Sequence, residues 1–275
     1  TANTDETWIF LRGGWGEVRL GDEDGVAENS ALGAQDIAAG TGGIDGSDAI
    51  VVGNAPYVFL VNTNDATKIR YYTPSFGGFS VGVSYTPTQQ VIDSGSQNGQ
   101  FRAQKSGPGM EAKNVVEGGL IYDGDLGGVG LEASVVGLYG RLRNEREAAF
   151  GGSDWWGVQG GAVIDLFGFE LAGSVATNNI GDLTNNFMNA GVAYGFGPLS
   201  ASLNYAWSFD ANNDFEETTG LDDPNTWIVS ATYLLAPGLA LQGDVAWFDN
   251  DTNDFYDGGT GDQGWAAVGR FEVTF

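Results

Sequence analysis

The side chains able to do chemistry in this chain are charged, and they sit at alternate positions of apolar segments. Glu17 and Arg19 flank Val18, Lys68 and Arg70 flank Ile69, and Arg270 and Glu272 flank Phe271. Glu117, Glu132 and Asp244 occupy the same kind of position, the last two beside Leu131 and Val245. A period of two sends neighbours to opposite faces of a strand, so these segments have one wet, charged face and one apolar face. Arg19, Lys68, Arg70 and Arg270 form a candidate basic wall, with Glu17, Glu117, Glu132, Asp244 and Glu272 as further charges on the same face. A second group is concentrated in one stretch. Residues 23–56 carry Glu23, Asp24, Glu28, Asp36, Asp45 and Asp48 without one Lys or Arg.

A third group lies in "DNDTNDFYDGGTGD", where Asp249, Asp251 and Asp254 offer oxygens to a calcium ion. The spacing does not complete a twelve-residue calcium loop, and the other reading is a negative vestibule that concentrates cations. "RLRNER" at 141–146 offers guanidinium groups to lipopolysaccharide phosphates or to neighbouring acids, or is a solvated loop.

Composition excludes several alternatives. With 36 acidic and 11 basic side chains the formal charge is -25, the opposite of a nucleic-acid footprint. The absence of Cys rules out disulfides and thiolate sites, and the absence of His removes the usual general base and zinc ligand. The G-x-S-x-G pattern occurs once, as Gly78-Phe79-Ser80-Val81-Gly82, but it lies inside an alternating strand segment and the chain has no His to activate its serine. These absences argue against an enzyme, and no cofactor is expected apart from the calcium considered above.

The elements that must position these groups are strands. Alternating segments run at about 7–13, 16–22, 67–73, 79–87, 114–123, 129–142, 155–166, 169–178, 186–196, 198–210, 226–236, 239–250 and 265–275. Connections at one end are short and Gly-rich, as in "GGWG", "SFGG" and "DLGG". Those at the other end are long and acidic: 23–56, 88–112, 144–154, 179–185, 211–225 and 251–264. That division is the signature of an up-and-down meander. Only "NSALGAQDIAAG", 29–40, has room for a helical turn or two. "YVFLVNT", 57–63, reads either as one more strand or as loop returning to the wall.

Aromatic residues recur at the ends of the apolar stripes, as in girdles at lipid headgroup level. No run reaches the ~18–20 apolar residues of a membrane helix. The mean hydropathy of -0.13 fits strands that are apolar on only one face. No basic segment followed by an apolar one is present, so any signal peptide is expected to have been removed. The expectation is a single domain over 1–275: an all-β transmembrane antiparallel up-and-down β-barrel, closed because unpaired edge amides find no water in lipid.

"TWIFLRGGWGEVRLGDEDG", "KIRYYTPSFGGFSVGVSYTP" and the terminal "GRFEVTF" resemble hairpins and the C-terminal strand of the Gram-negative general diffusion porins, a sixteen-stranded trimeric family. The resemblance implies that 23–56 folds into the lumen as a constriction loop, its acids facing the basic wall across a transverse field. It implies that Phe271 and Phe275 belong to an outer-membrane assembly signal in the closing strand 265–275, and that three copies associate. Counted backward from Phe275, residues 7–13 fall on the fourth family strand. The expectation is therefore sixteen strands in the intact protein, thirteen visible here, unless 57–63 makes a self-closing set of fourteen. The function this implies is a water-filled outer-membrane channel for small hydrophilic solutes, with cation preference expected from the net charge. A barrel enzyme, a substrate-specific channel and a structural or adhesive barrel with a plugged lumen are its rivals. Inward positions that are mostly Gly, Ser, Ala and Thr speak against the plug.

Overall fold

The computed structural model describes residues 6–45, 58–89, 112–142, 151–209, 221–252 and 262–274. Thirteen strands run in chain order: β1 Thr7–Gly13, β2 Gly16–Asp22, β3 Thr67–Tyr72, β4 Phe79–Gln89, β5 Ala112–Asp125, β6 Gly130–Leu142 and β7 Asp154–Leu166. The rest are β8 Phe169–Ile180, β9 Leu183–Phe196, β10 Leu199–Phe209, β11 Leu221–Ala236, β12 Leu239–Thr252 and β13 Asp262–Val273. Each pairs antiparallel with its sequence neighbours in one up-and-down sheet of the barrel type, with β1 and β13 at the two ends of the order. No helix among the described residues is long and apolar enough to cross a membrane.

The alternation sets the two faces. On β4, Val81, Val83 and Tyr85 are exposed on the outside while Gly82, Ser84 and Thr86 are buried on the inside. On β11, Trp227, Val229 and Tyr233 point out, and Thr226, Ile228 and Ser230 point in. The outward stripes are largely apolar and exposed among the described residues, as a bilayer requires of a barrel wall.

Two expectations are corrected, and one open alternative is decided. Residues 179–185 are no long loop: β8 and β9 extend through most of them and meet at a turn of Gly181 and Asp182, with Ile180 paired to Leu183. The ladder continues because Asn178–Asn185 and Asn179–Thr184 form ordinary cross-strand pairs. Residues 58–63 make no strand, Tyr57 lying outside the described residues, so the described strands number thirteen rather than fourteen. Their amides bond to wall side chains instead of to a neighbouring strand.

The inner face is also less uniformly small than expected. Leu138, Leu142, Trp155, Ile180 and Phe187 point inward and are buried in one apolar cluster with Leu60 and Val61. In "DWWG" the strand alternation divides two tryptophans, Trp155 to the interior and Trp156 to the outer surface.

The loop across the barrel as candidate functional site

Between β2 and β3 the chain leaves the wall and crosses the interior. Its outward limb contains α1, Val26–Asn29, and 3₁₀ turns at Ala34–Ile37 and Gly43–Asp45. A stretch this irregular leaves backbone amides that strand pairing cannot satisfy. Wall side chains satisfy them in sequence. Val26 N–H donates to Ser84 Oγ of β4 at 3.3 Å, and Ala27 N–H to Glu117 Oε2 of β5 at 3.2 Å. Ala34 N–H donates to Asn189 Oδ1 of β9 at 2.8 Å, and Ala39 N–H to Ser202 Oγ of β10 at 2.9 Å. Gly40 N–H reaches Thr232 Oγ1 of β11 at 2.9 Å, and Thr41 N–H reaches Asp244 Oδ2 of β12 at 3.0 Å.

The returning limb is fixed in the same way. Gln159 of β7 accepts from Leu60 N–H at 3.3 Å and donates to Val58 O at 3.0 Å. Thr63 donates its N–H and its hydroxyl to Glu117 Oε1 at 3.3 and 2.6 Å. Glu117 also accepts from Ser84 Oγ at 2.8 Å, so one buried carboxylate ties both limbs to the wall.

Close packing makes small residues obligatory at two points. A Cβ on Gly161 of β7 would lie 1.9 Å from Leu32 O. Gly40 has φ +69°, a left-handed conformation that L side chains resist, and its Cβ would lie 2.1 Å from Asp244 Oδ1.

Three of the four expected basic-wall residues come together where the loop begins. Arg70 Nη2 lies 2.7 Å and Arg19 Nη1 3.5 Å from Glu23 Oε2. Arg70 Nη1 donates to Asp24 O at 2.9 Å, and Lys68 donates to Glu23 O and Asn64 O. Glu23 and Lys68 are each 1% exposed and Arg70 4%. These cations therefore act as fasteners in direct contact with the loop, and present little charge to open lumen. Arg19 also pairs with Glu17 at 2.6 Å and lies 4.1 Å over the Trp8 ring. Arg270 stands apart on β13, donating to Gln242 Oε1 at 2.7 Å, while Gln242 donates to Glu272 at 3.2 Å. Burial raises the tendency of the Glu23 carboxyl to hold a proton, and Arg70, Arg19 and Lys68 offset part of that rise.

Of the loop acids, Asp36 is the one whose side chain is exposed, while Asp24 and Glu28 are half-buried. Asp36 accepts from Gly33 N–H at 2.7 Å. Loss of bulk water inside the barrel raises its carboxyl above the ordinary range, and the negative charge of Glu132 raises it further. The side chain of Asp45, and all of Asp48, lie outside the described residues. Glu132 sits on the inner face of β6, exposed toward the short-turn end and opposite Asp123 of β5. Asp165 of β7 faces Glu170 of β8 on the same side. Asp123, Asp165 and Glu170 were not singled out from the sequence, although their place on the polar face of a strand was the available signal.

Of the expected calcium trio, only the Asp249 side chain lies among the described residues. Asp249 accepts from Gln263 Nε2 at 3.1 Å, and the Asp251 side chain and Asp254 lie outside the description. Among the described residues, Glu6, Asp24 and Asp65 converge, with one oxygen of each within 4.8 Å of the others. Arg141 Nε lies 4.0 Å from Asp154 Oδ1, a neighbouring acid, and 143–146 are outside the description. Phe271 is exposed on the outer stripe, and Phe275 is outside the described residues.

A wall of antiparallel strands, apolar outside, with a loop pinned across its interior is the architecture of an outer-membrane channel. The chain belongs to the Gram-negative porin family, whose model matches residues 1–253. Similar solved structures include the anion-selective porin of Comamonas acidovorans, at 20% identity and TM-score 0.58, covering 98% of this chain and 76% of that one. OprB of Pseudomonas putida aligns at 13% identity and TM-score 0.63, covering 97% of this chain and 72% of that one. OmpF of Salmonella typhi aligns at 16% identity and TM-score 0.62, covering 94% and 74%. An uncharacterized protein of Rickettsia bellii is 24% identical over 307 residues, 87% of this chain and 68% of that protein. The protein is a β-barrel channel of the outer membrane.

Proposed function

We propose that the protein is a passive, water-filled, cation-preferring pore for small hydrophilic solutes, assembled as a trimer. The observation that carries this reading is the placement of charge. The cations nearest the loop are spent in contacts with Glu23 and with backbone carbonyls, while Asp36 and Glu132 remain open to the interior. A narrow wet passage with unneutralised carboxylates on its wall concentrates cations and disfavours anions. Selectivity for anions belongs to the Comamonas porin and is not carried by a shared fold at 20% identity.

Reversal potential in a planar bilayer under a KCl gradient tests the preference, and a clear anion preference refutes it. Trimerisation is tested by electrophoresis with and without heating. The inward patch around Trp155 and Phe187 favours a second reading, a lumen plugged by its own loop. Stepwise ohmic conductance from purified protein rejects the plug.

A further inference from the structure

At the end of the wall joined by Gly-rich turns, each turn carries a large apolar side chain at or beside its tip: Trp15, Phe76, Leu126, Phe167, Phe196 and Leu235, all exposed. Phe76 and Phe167 are the most naked, at 88% and 90% exposure, and Phe196 follows at 71%. The Phe167 turn is backbone-strained. Phe167 has φ +54° and Gly168 φ +81°, the conformation of a type I′ turn, whose first position favours Asn, Asp or Gly. An exposed phenylalanine there gains nothing from its own chain, so its benefit must come from what surrounds the turn. The opposite end supplies an internal contrast: its two-residue turn, Gly181 and Asp182, is flanked by Asn179 and Thr184.

The apolar tips continue an existing surface. One step into the wall, outward-facing aromatic pairs stand at the same end: Phe79 with Tyr122 at 4.8 Å between ring centroids, and Phe169 with Tyr194 at 4.4 Å. Aromatic pairs of this kind mark the headgroup level of a barrel wall. We propose that the membrane surface does not end at these pairs but takes in the turns. The side chains of Phe76, Phe167 and Phe196 insert into the lipid interface and set how deeply the barrel sits. The partner is the lipid surface itself.

The chain has no cysteine, so Phe76→Cys and Phe167→Cys each accept a single nitroxide label, with Asp182→Cys as the reference. The folded labelled proteins, verified by β-sheet circular dichroism, are reconstituted into phosphatidylcholine–phosphatidylglycerol vesicles. Collision rates with oxygen and with a water-soluble nickel chelate are then measured by power saturation. The expected result is an oxygen-to-nickel ratio several-fold higher at positions 76 and 167 than at 182. The two positions are read separately, so either folded variant decides the matter. A ratio matching that of position 182 overturns the proposal and places the turns in bulk water, where a protein partner would have to cover them.

Discussion

Replacing Glu117 with alanine should release the two ends of the crossing loop and leave its middle in place. Its carboxylate is buried on β5 and accepts the amides of Ala27 and Thr63 together with the hydroxyls of Thr63 and Ser84. The hydroxyls can turn to other acceptors, but the two amides cannot. A buried amide left without a partner costs ~1–3 kcal/mol, so the pair amounts to about 2–6 kcal/mol of local docking energy. At 1.4 kcal/mol per decade, that is roughly 30-fold to 10⁴-fold in the ratio of docked to undocked loop. The thirteen-stranded ladder does not depend on this contact, so the barrel should persist. Native-state amide exchange reads such local opening. Val26, Ala27 and Thr63 should exchange at least 30-fold faster in Glu117→Ala, while Ala39, Gly40 and Thr41, held by β10 to β12, keep their protection. Unchanged exchange at Ala27 and Thr63 would refute the anchoring role. A uniform rise along the whole loop would refute the idea that each anchor acts locally.

Three other outcomes are expected. Cation preference should fall as pH is lowered, beginning above the ordinary carboxylate range near ~4, because Asp36 takes up its proton early; reversal potentials across a pH series check this, and Asp36→Asn should flatten the curve. Gly161→Val should lower thermal stability by about 1–3 kcal/mol, because its side chain meets Leu32 O, whereas Gly160→Val, on the outer face, should be neutral in the same melting experiment. Arg70→Ala should cost at most about 3–5 kcal/mol at neutral pH by removing the nearest cation from the buried Glu23 carboxylate, which keeps only the more distant Arg19 and Lys68. Since the folded-state Glu23 already holds its proton above the usual carboxylate range, that loss should shrink as pH falls through its titration, as urea unfolding at two pH values would show.

The wall was largely legible because a period-two pattern acts residue by residue. Val81, Val83 and Tyr85 announce an outer face without reference to anything distant, and the thirteen strands fall where that pattern placed them. The turn at Gly181 and Asp182 escaped because a run of Asn and Thr looks like loop when read singly, and becomes strand only through its cross-strand partners. The site was less legible. That Arg19, Lys68 and Arg70 belong together followed from strand adjacency, but their contact with Glu23 depends on where the loop enters the interior. Glu117 looked like one more lumen charge, and Gln159 and Asn189 resembled any polar inward residue. Their roles come from contacts with loop residues 54 to 155 positions away, which no local pattern encodes. Trp155 was hidden by its neighbour Trp156, since two adjacent tryptophans do not declare which of them faces lipid.

The bond between Thr41 and Asp244 spans 203 residues, joining the early part of the chain to its penultimate strand. A nascent wall assembled from its first strands onward has nowhere to fasten the far end of the crossing segment until β12 arrives. The last of the crossing segment's anchors therefore forms late, and a copy truncated before that strand would keep the bonds to β4, β5, β7, β9, β10 and β11 while leaving Thr41 unfastened.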